Sequence, residues 1–332
     1  MRRHAHSPAP RPRRARRRAG FSLIELVIAM LVMGIVMIYA METFSTNQDA
    51  YQVVEQVSET QQNMRAVADL IERDLRHAGF MVQAAGAACG LDNQNASDVL
   101  YVSDASVVDP GNRTSVDNAV GTTNNGTGTG TQNFGGLTST VLDGAATYDT
   151  DGNGAADSDF QIGGGIIVFD RNDASRGTAC GEVLAIGASN VQASIDSAGL
   201  GPAAGATDIA VVPAHRYFVD AAGVLTRDGL EIARDVDDLQ VAYFVDLNDD
   251  NVEQPNETFG DGVGPDYVSG NVDMSQGREI LVNLVLRTRV QDLDFTDGQF
   301  QTTLNRNPVA GNDGFRRRVY TSRELLRNLV MR

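Results

Sequence analysis

The chain has 332 residues, enough to bury one large core or two modest ones, and a formal net charge of −16 at pH 7. Residues 1–20 contain eight of its 27 basic residues and no acidic one, which leaves 19 basic residues against 43 acidic ones in the rest of the chain. Such an acidic body repels nucleic acid and attracts cations. We therefore expect no direct nucleic-acid partner.

An apolar run follows this basic N-terminus. It covers residues 21–41 and contains one charged side chain, Glu25. It is longer than the roughly 18 apolar residues that mark a transmembrane helix rather than a signal-peptide core. Arginines before a membrane span keep the N-terminus in the cytoplasm, so the chain after Met41 is predicted to be periplasmic. An ionised carboxylate in the bilayer costs about 2.5 to 3.5 kcal/mol on insertion scales, so Glu25 implies a partner.

Residues 42–79 continue the apolar run as an amphipathic segment. No proline or glycine interrupts it before Gly79, and its apolar residues recur at spacings of three and four, which predicts one helical stripe. The stripe consists of Val53, Val54, Val57, Met64, Val67, Leu70, Ile71 and Leu75. Gly79 is a typical C-terminal stop. The pattern predicts a continuous helix from Phe21 whose second half packs on a globular body.

Residues 80–332 consist of short apolar runs separated by Gly, Asn and Asp, a pattern typical of strands and turns. The predicted strands cover residues 99–102, 166–169, 182–186, 208–212, 216–219, 224–227, 231–234, 239–245 and 280–290. Residues 120–136 are rich in Gly and Thr and poor in apolar residues, so we predict a flexible surface loop there. Residues 315–332 fit a strand or a capped helix, and we favour a strand with a frayed end.

The chain contains two cysteines, Cys89 and Cys180. On the exported side of the membrane they meet an oxidising compartment, where a pair normally forms a disulfide. Closing a loop of about 90 residues stabilises by up to about 4 to 5 kcal/mol in the chain-entropy model. The alternative is two unpaired, small core residues.

The sequence around the start of the apolar run resembles the class III signal of type IV pilins and pseudopilins. A basic leader, residues 1–20, ends in Gly20, and FSLIELVIAM follows with an aromatic residue first and Glu25 fifth. The resemblance implies that a prepilin peptidase cuts between Gly20 and Phe21 and methylates the amine of Phe21. Glu25 of one subunit can then neutralise the terminal amine of a neighbour. The alternatives are an uncleaved anchor or a signal peptide cut near Ala40.

Three further segments resemble the PilW group of minor pilins. They are RDLRHAGF at residues 73–80, ARDVDDLQVAYFVDLNDDN at residues 233–251 and RRRVYTSRELLRNL at residues 316–329. The resemblance implies a type IV pilin-like α+β fold, in which a long N-terminal helix packs on a strand-rich antiparallel β domain. It implies as partners the other minor pilins, the major pilin, the inner-membrane assembly platform and a tip adhesin. The Gly/Thr-rich insert and the C-terminal LVMR depart from the group.

The function implied is that of a minor pilin that primes type IV pilus assembly and sits at or near the pilus tip. One alternative is a PulJ-like minor pseudopilin of type II secretion, and another is a calcium-dependent adhesive module on a pilin stalk. An enzyme is not expected. The histidines His4, His6, His77 and His215 show no metal-binding or triad spacing.

An acidic run at residues 246–257 places oxygen donors at the spacing of an EF-hand loop. Calcium binds hard oxygen ligands, and a tight turn lets alternate side chains converge on one point. The predicted ligands are Asp246, Asn248, Asp250, the carbonyl of Val252, Gln254 and Glu257. Asn251 replaces the usual glycine, and asparagine also enters the left-handed region. A solvated acidic turn is the alternative.

A second acidic run lies at residues 149–157 and resembles the shorter calcium loops of exported proteins. The candidate ligands are Asp149, Asp151, Asn153, Ala155 and Asp157. The twelfth position is Phe160 rather than a glutamate, so a distal ligand such as Asp159 is needed. Turns between strands form such strings without metal, which is the alternative here. Calcium is the one cofactor predicted.

Overall fold

A computed structural model describes residues 20–107, 120–122, 124–137, 158–187, 189–196, 199–267, 272–292, 295, 303–306 and 313–330. The chain divides into two compact units, residues 1–54 and residues 55–332. Of the predicted leader, Gly20 alone lies within the described residues. The second acidic run, residues 149–157, lies outside them, so its calcium prediction is not addressed by the fold.

One helix, α1 (Leu23–His77), contributes to both units. Its N-terminal part is long and apolar enough to cross a membrane. In the first unit every side chain from residue 20 to residue 52 is exposed, including the large apolar residues of the predicted span. Exposed apolar surface of this extent is unusual for a soluble monomer and indicates a membrane or a protein partner.

In the second unit α1 buries part of the predicted stripe, whereas Val54, at the end of the first unit, is exposed. Val67, Ile71 and Leu75 are each at most 4 % exposed. The helix stops where the sequence predicts, because Gly79 adopts a positive φ of 73° that side-chain-bearing residues rarely adopt. A Cβ at Gly79 would also lie 2.5 Å from a methyl carbon of Leu329 and 3.1 Å from the Cβ of Ala87, so a larger residue would require these neighbours to move.

A short C-terminal helix, α2 (Arg327–Val330), covers this end of α1. The side-chain amide of Asn328 donates hydrogen bonds to the carbonyl oxygens of His77 and Ala78, at 3.3 and 3.0 Å. These carbonyls are among the acceptors that a helix leaves unsatisfied at its C-terminus. Leu329, the first residue of the LVMR tail that departs from the PilW pattern, is buried beside Gly79 at the same end of the helix.

Fourteen strands follow in the described part of the second unit, and all their pairings are antiparallel. They are β1 (Ala88–Leu91), β2 (Val99–Val102), β3 (Val120–Gly121), β4 (Gly130–Gly135), β5 (Gly165–Asp170), β6 (Thr178–Ile186), β7 (Asn190–Ile195), β8 (Ile209–Val219), β9 (Leu225–Arg227), β10 (Leu230–Ala233), β11 (Val236–Val245), β12 (Thr258–Phe259), β13 (Gly277–Arg287) and β14 (Arg317–Leu325). The predicted α+β class, with a long N-terminal helix and antiparallel strands, is confirmed.

The larger sheet has the order β1-β2-β8-β5-β6-β7-β4, with β3 and β9 also pairing to β8 and β10 pairing to β9. It curves strongly. In a flat sheet β1 and β6 would lie about 19 Å apart, four strand spacings. Instead the Cα atoms of Cys89 on β1 and Cys180 on β6 are 6.1 Å apart and the two residues form a disulfide, as predicted. The disulfide therefore links two strands that the curvature of the sheet brings together.

The smaller sheet has the order β12-β11-β13-β14. Strands β11 and β13 are nearly continuously buried, whereas β14 alternates partly buried and exposed residues. Charged side chains such as Arg318 and Arg323 on β14 protect this open edge against pairing with other chains. The C-terminal segment is thus a strand, as favoured from the sequence, followed by one helical turn.

A buried polar cluster holds the second half of α1 against the larger sheet. Asp74 is 4 % exposed and accepts hydrogen bonds from the hydroxyl of Tyr217 at 2.6 Å and from Nε of Arg227 at 2.9 Å. Burial, and next the charge of Asp74, raises the pKa of Tyr217 and keeps its phenol protonated as a donor. Because every partner is bonded, the buried charge is compensated.

A second polar cluster ties α1 to β14. Glu72 accepts hydrogen bonds from Tyr320 and from Ser322, the latter at 2.7 Å, while Arg76 pairs with Glu324 at 3.2 Å. Burial raises the pKa of Glu72, but these hydroxyl donors and Arg76 together lower it below its ordinary value. The aromatic and basic C-terminal strand is therefore bonded to the helix itself.

The prediction of a flexible loop at residues 120–136 was wrong. The segment contains β3 and β4, and β4 pairs with β7 over six residues. The reason is a single large side chain, Phe134, which is fully buried, together with Arg176, whose guanidinium donates to the carbonyl of Asn125 at 2.7 Å. One apolar anchor and one buried cation order a segment whose composition alone predicts disorder.

The two strands predicted at residues 208–212 and 216–219 form one strand, β8. The prediction divided it at Pro213, which lacks the N–H that a central strand needs. In the structure β3 pairs with residues 210 and 211 on one side of β8, and β2 pairs with residues 215–217. Pro213 lies in the gap between these two partners, where no N–H is required. Five strands, β1, β3, β4, β7 and β12, were not predicted as strands.

We expect the Cys89→Ala/Cys180→Ala double variant to lower the free energy of unfolding by about 2 to 5 kcal/mol, because it releases a loop of 91 residues in the unfolded chain. Thermal unfolding of the full chain in detergent measures the change. Reductant should lower the melting temperature of the wild type to the same extent and leave the variant unchanged. Equal melting temperatures for both proteins would contradict the closing role of the disulfide.

Substitution Asp74→Ala should lower the free energy of unfolding by about 2 to 4 kcal/mol, since it leaves Arg227 and the Tyr217 hydroxyl without their acceptor. The control is Asp69→Ala, which removes the same side chain from an exposed position on the same helix. Denaturant unfolding of the two variants compares them. A loss for Asp74→Ala no larger than that for Asp69→Ala would show that the buried cluster is not stabilising.

Candidate functional site

The predicted cleavage site lies immediately before the helix. Gly20 and Phe21 belong to no helix or strand, and the side chain of Phe21 is 88 % exposed. A Cβ built on Gly20 meets no described atom within 4 Å. The fold around it therefore places no steric limit on residue 20. A requirement for a small residue here would come from whatever binds the segment from outside.

Glu25 caps the start of the helix. Its Oε2 accepts a hydrogen bond from the backbone N–H of Ser22 at 3.1 Å. Ser22 precedes the first helical residue, so Ser22 and Glu25 occupy the positions of a capping box, in which the third helical residue bonds back to the cap. The helix N-terminus also favours a negative charge in its first turn. Sequence reasoning missed this role, although the spacing Ser-x-x-Glu is its usual signal.

The neighbours of Glu25 on its helix face are apolar. Ile28, Ala29 and Val32 lie one and two turns along the same face, and all of them are exposed. The hydrogen bond from Ser22 uses one of the two carboxylate oxygens of Glu25. The carboxylate therefore lies at the end of an apolar surface, next to the amine that cleavage before Phe21 would create.

Residues 15–41 match the family model described as the prokaryotic N-terminal methylation motif. The chain carries a prepilin-type N-terminus. The match contains Gly20, Phe21 and Glu25, and it confirms the predicted type IV pilin-like identity of the N-terminus with its class III signal. The match covers the start of the chain and does not extend into the β-rich body.

No curated protein matches the chain. Among solved structures, the chain is similar to the type IV-like pilin TTHA1219 from Thermus thermophilus, with 12% sequence identity and a TM-score of 0.32. The similarity covers 82% of this chain and 98% of that one.

The acidic run at residues 246–257 forms the connection between β11 and β12. It brings together three of the predicted ligands, Asp246, Asp250 and Glu257, with one carboxylate oxygen of each within 4.8 Å of the others. Asn251 takes a positive φ of 56°, as predicted for the position that usually holds glycine. Backbone N–H groups of Asp250 and Asn251 donate to Asp246 at 3.1 and 3.0 Å.

The other predicted ligands of this run are less well placed. The side-chain oxygen of Asn248 accepts from the N–H of Asp250 at 2.9 Å, and the amide nitrogen of Gln254 donates to Asp250 at 3.0 Å. Arg278 lies beside the cluster, with Nε 3.3 Å from Asp246. Burial raises the pKa of Asp246, but the N–H of Asn251, Arg278 and the N–H of Asp250 together lower it below its ordinary value.

A serine, a histidine and an aspartate also come together, which the sequence spacing did not predict. Nδ1 of His215 lies 2.6 Å from Asp228, and Nε2 lies 3.5 Å from Oγ of Ser106. The Ser106 hydroxyl donates to Asp104 instead. The distance to His215 exceeds the 2.6 to 3.2 Å typical of an activated nucleophile. The arrangement therefore lacks an activated serine.

The substitution Gly20→Val should block processing, because a branched side chain replaces the small residue that the resemblance places at the cleavage point. Immunoblotting of membranes should show the longer precursor alone. Gly20→Ala is the matched control, and we expect partial maturation for it. Since no described atom crowds residue 20, neither change should alter the fold. Normal maturation of the valine variant would contradict cleavage at this bond.

Proposed function

We propose that this chain is a minor pilin of the PilW-like group, which primes type IV pilus assembly and stays at or near the pilus tip. The main support is the N-terminal methylation motif at residues 15–41, with Glu25 as the one charge in the exposed apolar run at residues 21–41. The proposed role is structural.

In this proposal the membrane holds residues 21–41 before assembly, with the basic leader in the cytoplasm and the body in the periplasm. Cleavage leaves a cationic amine on Phe21. In hydrocarbon a charge is costly unless it is paired, so the amine of one subunit and Glu25 of the next stabilise each other. Pairing favours a subunit inside the fibre over an isolated subunit, and it fixes the stagger between neighbouring helices.

The body supports the narrower assignment through two segments that resemble the PilW group. Asp238 and Gln240 of the DLQ segment are fully buried in β11, where Asp238 pairs with Arg306 and Gln240 donates to the carbonyl of Ala96 at 3.0 Å. The C-terminal segment forms β14 and bonds to α1. Both segments make contacts that stabilise the body. A fold shared with the PilW group would therefore account for their resemblance to it.

The proposed partners follow from the same resemblance: prepilin peptidase for processing, then the assembly platform, the other minor pilins, the major pilin and a tip adhesin. The competing assignment, a PulJ-like pseudopilin, shares the N-terminal motif. Deleting the gene separates the two. A minor pilin's loss removes surface pili and leaves type II secretion intact, whereas a pseudopilin's loss blocks secretion and leaves pili in place.

In complemented deletion cells, Glu25→Ala should reduce recovery of this subunit in sheared fibres by about tenfold or more, since it leaves the neighbour's amine unpaired in an apolar core. Insertion and cleavage should be unchanged. Glu42→Ala is the matched control, because Glu42 is exposed on the same helix just beyond the apolar run. Wild-type recovery of the Glu25 variant would rule out the pairing mechanism.

A further inference from the structure

We propose that the connection between β11 and β12, residues 246–257, binds one calcium ion through the carboxylates of Asp246, Asp250 and Glu257. The proposal is independent of the role in a pilus, because it rests on the body alone. It goes beyond the sequence pattern, because the folded chain contains a buried carboxylate oxygen that lacks a partner.

That oxygen belongs to Glu257. The residue is fully buried, and its Oε1 accepts a hydrogen bond from the N–H of Leu247 at 3.2 Å. Oε2 is also buried and has no hydrogen-bond partner among the described residues. An unpaired, buried carboxylate oxygen is costly, and most such atoms in folded proteins are satisfied by a donor, water or an ion. A cation at this point would supply the missing partner.

The spacing of the carboxylates suits calcium. Oxygens that share one calcium ion at 2.3 to 2.6 Å lie at most about 5 Å apart. One oxygen each of Asp246, Asp250 and Glu257 falls within 4.8 Å of the others, so they can share an ion without rebuilding the loop. Asp246 and Glu257 are buried while Asp250 is exposed, which leaves the cluster open to solvent on one side.

The remaining ligands have to come from neutral oxygens. Calcium takes six to eight oxygens, more than three carboxylates supply. The side chain of Asn248, the carbonyl of Val252 and water are the nearest candidates along the loop. Rotation of the Gln254 amide would present its oxygen in place of the nitrogen that now donates to Asp250.

One positive side chain competes with the ion. Arg278 contacts Asp246 at 3.3 Å and Asp249 at 3.0 Å, so it holds Asp246 in place when calcium is absent. Its charge weakens the site relative to a loop of carboxylates alone. We therefore place the affinity in the range of extracellular calcium modules, about 0.1 to 1 mM.

Calcium bound here would link the two strands of a hairpin that has few backbone pairs. Strand β12 pairs with β11 through two residue pairs, Tyr243 with Phe259 and Phe244 with Thr258. The ion would join Asp246, directly after β11, to Glu257, directly before β12. The ion would thus stabilise the smaller sheet at one edge once the body reaches a calcium-rich compartment.

The test uses the full chain in detergent, stripped with chelator and titrated with calcium chloride by calorimetry, alongside thermal unfolding. We expect saturable binding and a rise in melting temperature of about 2 to 5 °C at 10 mM calcium. Magnesium chloride at the same concentration should give a smaller rise, because magnesium demands shorter, octahedral contacts. No binding heat and no melting shift in a folded wild type would overturn the proposal.

Two variants locate the ion. Glu257→Gln and Asp250→Asn should each weaken calcium binding at least tenfold, while Glu253→Gln, an exposed residue of the same loop, should leave it unchanged. Should Glu257→Gln fail to fold, Asp250→Asn decides the matter, because Asp250 is exposed. Wild-type affinity in the variants that fold would place the ion elsewhere and overturn the assignment to this loop.

Discussion

Glu25 is the one charged side chain in an apolar run of 21 residues, and from residue 20 to residue 52 α1 is exposed. A helix of this kind is stable only where lipid or other helices cover it, and its carboxylate needs a positive partner there. The bond to Ser22 satisfies the helix end but not the charge. The first part of α1 therefore needs lipid or other subunits around it, and Glu25 needs a positive partner that the described residues of the monomer do not supply.

Within the second unit, in contrast, the side chains of α1 that face the body are packed or hydrogen-bonded. Apolar residues of its stripe enter the core, Asp74 bonds to the larger sheet, and Glu72 bonds to β14. The C-terminal turn then caps the helix through Asn328. The end of α1 and the C-terminal turn, which are 250 residues apart in sequence, thus meet within the body.

Local chemistry predicted much of this. Gly79 ends the helix at a positive φ that glycine adopts without strain, and β2 appears at its predicted bounds. Long-range contacts account for the failures: Arg176, in the connection between β5 and β6, bonds to the Gly/Thr-rich segment, and Pro213 fits β8 because two partners end on either side of it. At Glu257 the pattern predicted a ligand, but the fold alone shows an unpartnered oxygen.

The central claim is that the chain is processed before Phe21 and keeps its apolar helix. Mass spectrometry of the mature protein, isolated from membranes of cells that contain prepilin peptidase, tests it most directly. The account predicts an N-terminal peptide that begins with Phe21 and carries one methyl group on its amine. A mature chain that retains residues 1–20, or one that begins after Ala40, would contradict it.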